Sequence, residues 1–336
     1  GATLDFKLSS YDRIALSFQY SSFDGWTAAR SLQFNPAQIV AGTFTPTSAQ
    51  GVAGAGNLVL TSGNGRVRSN RTYMPTFTWR HDGPVWKAES GVGRAYGTNA
   101  YRDTDKGLLL SVVSRRTGVT IGFDDIDYLR PGVITVVDNA TRAPVDPYRI
   151  DSYALASVAS NPRFSSDVNF TAYANLRRDF PWRVPVTLKG GLDFHQTARD
   201  NTAGTLTYTY RGADGRGSTT VGSAAPFLDP LIAQRIGPYG FPRIQYADYK
   251  STLDYFRANP AHFTLDENAY YRGFVNNSKH AVEGVSAAYL RGDVALLNRR
   301  LLLVGGLRVE QTNIDAAGPL TDPTRNVQRD AGGRPR

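Results

Sequence analysis

Residues 184–200, VPVTLKGGLDFHQTARD, alternate in character for longer than an ordinary strand. Val186, Leu188, Leu192 and Phe194 fall on one side, and Thr187, Lys189, Asp193, His195 and Thr197 on the other. A period of two marks a pleated strand whose faces meet different surroundings. Here one face asks for an apolar phase and the other, with full charges, asks for water. The pattern recurs. Leu4, Phe6 and Leu8 oppose Asp5, Lys7 and Ser9, and Ile14, Leu16, Phe18 and Tyr20 oppose Ala15, Ser17, Gln19 and Ser21. Further strands are predicted at about 70–81, 85–96, 165–178, 281–296 and 300–313, with 107–114 and 117–125 as another hairpin. Pro75 counts against the strand that contains it, because proline removes a ladder hydrogen bond. One helical period is visible, over 247–258, inside a connection.

The connections alternate as well. Short ones fall at Tyr11–Asp12, at Asp82-Gly83-Pro84, at 179–183 and at about 297–299, while long ones cover 24–69, most of 97–164, 200–280 and 314 onward. That puts every short turn at one end of the sheet, as in outer-membrane barrels with short periplasmic turns and long extracellular loops. Trp79, Trp86, Trp182 and Tyr11 gather at the short-turn end, where amphipathic rings suit a headgroup layer. Strands crossing lipid must also close into a barrel, since an open edge leaves backbone groups unpaired. The predicted fold is all-β. It is an antiparallel transmembrane β-barrel portion of about 8–10 strands within a larger barrel. Residues 1–336 form one barrel domain, with long extracellular loops at about 24–69, 126–164, 200–280 and 314–336.

Composition narrows the alternatives. The net charge of +9 comes with 38 basic residues, but they stand singly or in pairs such as Arg115–Arg116 and Arg299–Arg300, so no nucleic-acid partner is expected. Cys 0 excludes disulfides and thiolate metal sites. No stretch nears the roughly 18 consecutive apolar residues of a transmembrane helix. The chain opens GATLDFKLSS within an alternating pattern and closes QRDAGGRPR within a polar one, which predicts an internal portion of something longer.

Residues 280–318, HAVEGVSAAYLRGDVALLNRRLLLVGGLRVEQTNIDAAG, resemble a hairpin of the TonB-dependent outer-membrane receptors. Glu283, Ala287-Ala288-Tyr289, a tight turn, Gly306 to Glu310, Thr312 and Gly318 carry the likeness, with Val309 where the family often has an aromatic. The resemblance implies a barrel of about 22 strands closed around an N-terminal plug. It also implies an outer-membrane location among lipid, import of a siderophore, cobalamin or oligosaccharide, and coupling to the TonB complex through the plug. Neither a plug, nor a TonB-engaging motif, nor an aromatic-terminated last strand is present among these residues.

Catalytic chemistry is not evident. His81, His195, His262 and His280 are isolated, which predicts no metal centre and no cofactor, and no nucleophile elbow or carboxylate pair argues for an enzyme. The carboxylates of FDDID at 123–127 do not have EF-hand spacing. On the charged faces, Asn169, Thr171, Tyr173, Asn175 and Arg177 stand beside Lys189, Asp193 and His195, with Arg308 and Glu310 further on. These either contact a plug or solute, or simply solvate a lumen and pair with each other. The 200–280 connection carries Tyr239, Tyr255, Phe256, Tyr270 and Tyr271, rings suited to sugars or siderophores or to packing on one another. The leading expectation is a solute-importing receptor. A passive porin or adhesin barrel and a secreted carbohydrate-binding β protein or hydrolase remain as alternatives.

Overall fold

A computed structural model describes residues 1–215, 222–237 and 240–319. It is mostly β, a large antiparallel sheet of long strands with two short helices. The first strands are β1 (Ala2–Lys7), β2 (Asp12–Asn35), β3 (Ala49–Gln50), β4 (Gly56–Asp82) and β5 (Trp86–Arg102). Next come β6 (Ser111–Asp127), β7 (Arg130–Asp138), β8 (Ala154–Ser160), β9 (Arg163–Phe180) and β10 (Val186–Ala203). β11 (Leu206–Tyr210), helix α1 (Tyr249–Ala258), β12 (Phe263–Leu265), helix α2 (Glu267–Asn277), β13 (Lys279–Leu296) and β14 (Leu301–Ala317) complete it.

Eight strands form one meander in the order β1-β2-β4-β5-β9-β10-β13-β14, every neighbour antiparallel. They contain the eight segments with the clearest alternation, and their short turns all lie at one end. β1 and β14 do not pair with each other, so the sheet is open rather than closed. Pro75 sits inside β4: the ladder to β2 runs through it, whereas the ladder to β5 lapses at Met74 and Pro75. A missing N–H is tolerated where one neighbour can be let go.

The remaining strands build a cap at the long-connection end. The outer part of β4 leaves β5 and pairs with β6, and β8, β11 and β12 continue from there, with β3 and β7 also on β6. Much of the 24–69 connection is therefore strand, as β2 runs on to Asn35 and β4 begins at Gly56. The 126–164 stretch likewise holds β7 and β8, and 314–317 still belongs to β14. Glycines 51, 54, 56, 63 and 65 surround Leu58 and Leu60, so the apolar pattern of this part of β4 is short and interrupted. The hairpin predicted from 107–114 and 117–125 is instead the single strand β6. Gly118 (φ 72°) is the extra residue of a bulge between Thr117, opposite Asn57, and Val119, opposite Gly56. The turn signal was real chemistry in another use.

The cap holds the main buried core. Leu58, Leu60, Val112, Val119, Ile121 and Val158 pack with Phe227, Tyr246, Tyr249 and Leu253. The helix expected over 247–258 is α1. Asp248 caps it by accepting from the Ser251 N–H at 2.7 Å, and Tyr249, Thr252 and Leu253 form its buried stripe. α2 was not expected. Asp266 caps it in the same way, but only Val275 is buried along it, so its apolar period is weak.

A pH-sensitive contact pins the cap's β7 end. Asp138 accepts from the N–H and hydroxyl of Thr141 and from Arg116, which together lower its carboxyl to about 2. Because the folded value lies below the usual aspartate 3.8, this contribution is complete above that pH and is lost as pH falls through about 2. Hydrogen exchange across 130–145 should accelerate on acidification through that window. Asp138→Asn should flatten the response.

Candidate functional site

The polar face of the meander brings together several residues singled out in the sequence. One ladder row reads Lys7, Arg13, Arg80, Glu89, Asn175, Gly191, Tyr289 and Arg308, one residue from each strand. Because side chains alternate, Lys189, Asp193 and His195 of β10 and Glu310 of β14 share that face.

Two tyrosines lie across glycines there. A side chain at Gly91 would collide with the Tyr173 ring, and that ring's hydroxyl donates to Glu89 at 2.9 Å. A side chain at Gly191 would likewise meet the Tyr289 ring, whose hydroxyl donates to Asn175 at 2.6 Å. Each glycine lets a ring lie flat and reach the next strand, the aromatic rescue used to pin register in curved sheets. Glu89 also receives Arg80 at 3.0 Å, so Arg80, Glu89 and Tyr173 form one chain across three strands. A cleft of about 250 Å³ is lined by Arg80, Lys87, Glu89, Asn175, Arg177 and Lys189.

The predicted residues differ in how committed they are. Arg308 and Glu310 pair with each other at 2.8 Å, and His195 bonds to Thr197 at 3.1 Å, which in turn donates to Asn169. Lys189 stands 6.0 Å from the Tyr289 ring, and among the described residues neither it nor Asp193 enters an ion pair. The aromatics of 200–280 are elsewhere. Tyr255 hydrogen-bonds His262 at 2.8 Å and meets Tyr210 and Phe227. Phe256 packs on Tyr208 and Phe263, both in the cap. Tyr270 and Tyr271 lie half-buried on α2, Tyr270 against Phe274. Tyr239 lies outside the described residues. The polar face and the cap aromatics are thus two separate places rather than one site.

Comparison with known protein families, curated proteins and solved structures found no match. The assignment rests on geometry. Among the described residues no cluster of three His, Cys, Asp or Glu side chains could hold a metal ion. What the polar face offers is hydrogen bonding: tyrosine hydroxyls, amides and charges of both signs. Glu89 and Tyr289 were not singled out from the sequence as site residues. Alternation gives a residue's face but not its partner across the ladder, and only the partner shows that Glu89 faces Tyr173.

Proposed function

We propose that this chain forms part of the lipid-facing wall of an outer-membrane transport receptor, with the polar face lining the lumen and the cap covering the outer opening. The observation that carries this reading is the other face of the meander. Phe6, Ile14, Trp79, Ser90, Ala174, Leu192, Ala288 and Val309 form one row across all eight strands. The rows beside it are mostly Leu, Phe, Val and Ala, with Asp12, His81, Ser286 and Gln311 toward the sheet's two sides, and the described residues leave them open: Leu4 is 65% exposed, Leu192 64% and Leu307 82%. A water-soluble sheet of this size would bury such a face.

The apolar belt is also slanted. In β2 it runs from Ile14 to Tyr20, on the long-connection side of that row. In β14 it runs from Leu301 to Val309, on the short-turn side. From β2 to β14 it slips by about seven residues, roughly one per strand crossed. With strands about 4.8 Å apart and about 3.3 Å per residue, the strands stand roughly 40° from the belt's normal. That is the tilt of strands in membrane barrels. Rings mark both margins. Tyr20, Tyr73 and Tyr96 stack in a row at one, and Trp86, Phe180 and Trp182 gather at the other. The free edges of β1 and β14 would need further strands to close in lipid.

Import of a siderophore, cobalamin or oligosaccharide and its coupling to TonB follow from the resemblance of the β13–β14 hairpin. Fractionation tests the wall. The natural full-length protein is expected in the outer membrane, released by detergent but not by carbonate, and its band should shift on gels after heating. Recovery in the soluble fraction would overturn the reading. Solute uptake that persists when the proton gradient is collapsed would make it a passive pore.

A further inference from the structure

Within the apolar belt two arginines break the pattern, Arg94 of β5 beside Tyr96 and Arg178 of β9 beside Trp86. Arg178 of β9 lies on the belt face, in the row of Trp86 and Leu188. Its guanidinium sits 4.8 Å from the Trp86 ring centre and 4.7 Å from that of Phe180. Its neighbour Arg177 points to the polar face and pairs with Asp179 at 2.9 Å. Among the described residues no carboxylate pairs with Arg178, and its Nε has no hydrogen-bond partner. Stacking between rings fixes a guanidinium in place while leaving its donors unspent.

Directly beyond it, away from the short turns, opens a groove of about 770 Å³. Its floor is made of small residues, Ala88, Ala174, Gly190 and Ala288, and its walls include Trp79, Leu192 and Leu290. The small residues belong to four adjacent strands and alternate along each ladder row with Leu176, Leu192 and Leu290, which stand up between them. An anion-seeking cation at the membrane margin thus stands at the mouth of an apolar channel.

We propose that Arg178 and this groove seat one glycerophospholipid, the guanidinium taking the phosphate and the groove an acyl chain. The proposal rests on the membrane-wall reading. It commits to a phospholipid because the cation stands at the short-turn margin, the periplasmic side of such a wall. The phosphate is held by a planar fork of N–H donors, a geometry that arginine matches and lysine does not. The charge complementarity also explains why a cation is tolerated on this face. At the margin its cost is small, and the lipid's anion offsets it.

Native mass spectrometry of the natural full-length protein, extracted in detergent, tests this with dioleoylphosphatidylglycerol and with dioleoylglycerol, which lacks the phosphate. One phosphatidylglycerol should be retained and dioleoylglycerol should not. Arg178→Gln should weaken retention about tenfold, as expected for losing a charge-assisted bidentate contact. Arg199→Gln, on the polar face, should leave it unchanged. Arg178→Lys keeps the charge and stem and guards against a simple loss of fold; it should bind between the parent and Arg178→Gln. Equal retention by parent and Arg178→Gln, or equal retention of the two lipids, overturns the lipid seat while a membrane-embedded protein leaves the wall intact. A protein soluble without detergent overturns both.

Discussion

Leu192→Arg is expected to destabilise the natural full-length protein by about 2–4 kcal/mol in a bilayer, whereas Asp193→Arg should cost far less. Leu192 stands in the middle of the belt row, between Ala174 and Ala288, and the described residues leave it 64% exposed. An arginine there must either stay in hydrocarbon or thin the bilayer around it. Asp193, one residue along, lies between Tyr173 and Ala287 on the polar face. A new cation there meets water. Folding titrations into lipid vesicles measure both. Equal penalties would mean that the two faces of β10 see the same medium, and the membrane-wall proposal would fail with them.

Most of the meander was legible because its information is local. Alternation along 184–200 places Lys189 and Asp193 on one face and Leu192 on the other without reference to any partner. Turn length then orders the strands, since an antiparallel hairpin needs only a few residues. The cap was less legible for the opposite reason. Its core joins Leu58 and Leu60 to Leu253 and Phe263, far along the chain, and no local period announces that contact. Glycine serves several ends here: Gly118, at the place of the expected turn, makes a bulge, and Gly91 and Gly191 make room for tyrosine rings inside strands. The aromatics of α1 stay open in the sequence between solute contact and packing on one another, because tyrosine suits ligands and cores alike. Tyr255 and Phe256 could only be placed once His262, Tyr208 and Phe263 were seen to meet them. Face, in short, is written in one strand, while partnership is written in two.

Asp229→Ala is expected to detach the cap at one edge. Arg30 of β2 reaches out of the strand to Asp229 at 3.2 Å, with side chains only 16% and 11% exposed. The same guanidinium donates to the Tyr249 hydroxyl and lies 4.3 Å from that ring's centre, so β2, α1 and the 222–237 segment meet at one cation. Asp229 also accepts from the N–H groups of Leu231 and Ile232, which fixes its carboxylate toward Arg30. Removing one partner of a largely buried ion pair leaves the other charge uncompensated, at about 3–5 kcal/mol. That exceeds what an exposed pair such as Arg308–Glu310 contributes, typically about 0–1 kcal/mol. Limited trypsinolysis of membranes should then cut at Lys250 and Arg257 in the variant well before the parent, while the meander strands stay protected. Replacing both partners together, Arg30→Met with Asp229→Leu, should restore much of the resistance, because no charge is left stranded. If the cap closes the outer opening over the solute, Asp229→Ala should also lose high-affinity solute binding while remaining folded in the membrane. A variant with parental protease resistance would show that the cap is held by its apolar core alone. In that case the Arg30–Asp229 pair would be a bystander at the margin of that core.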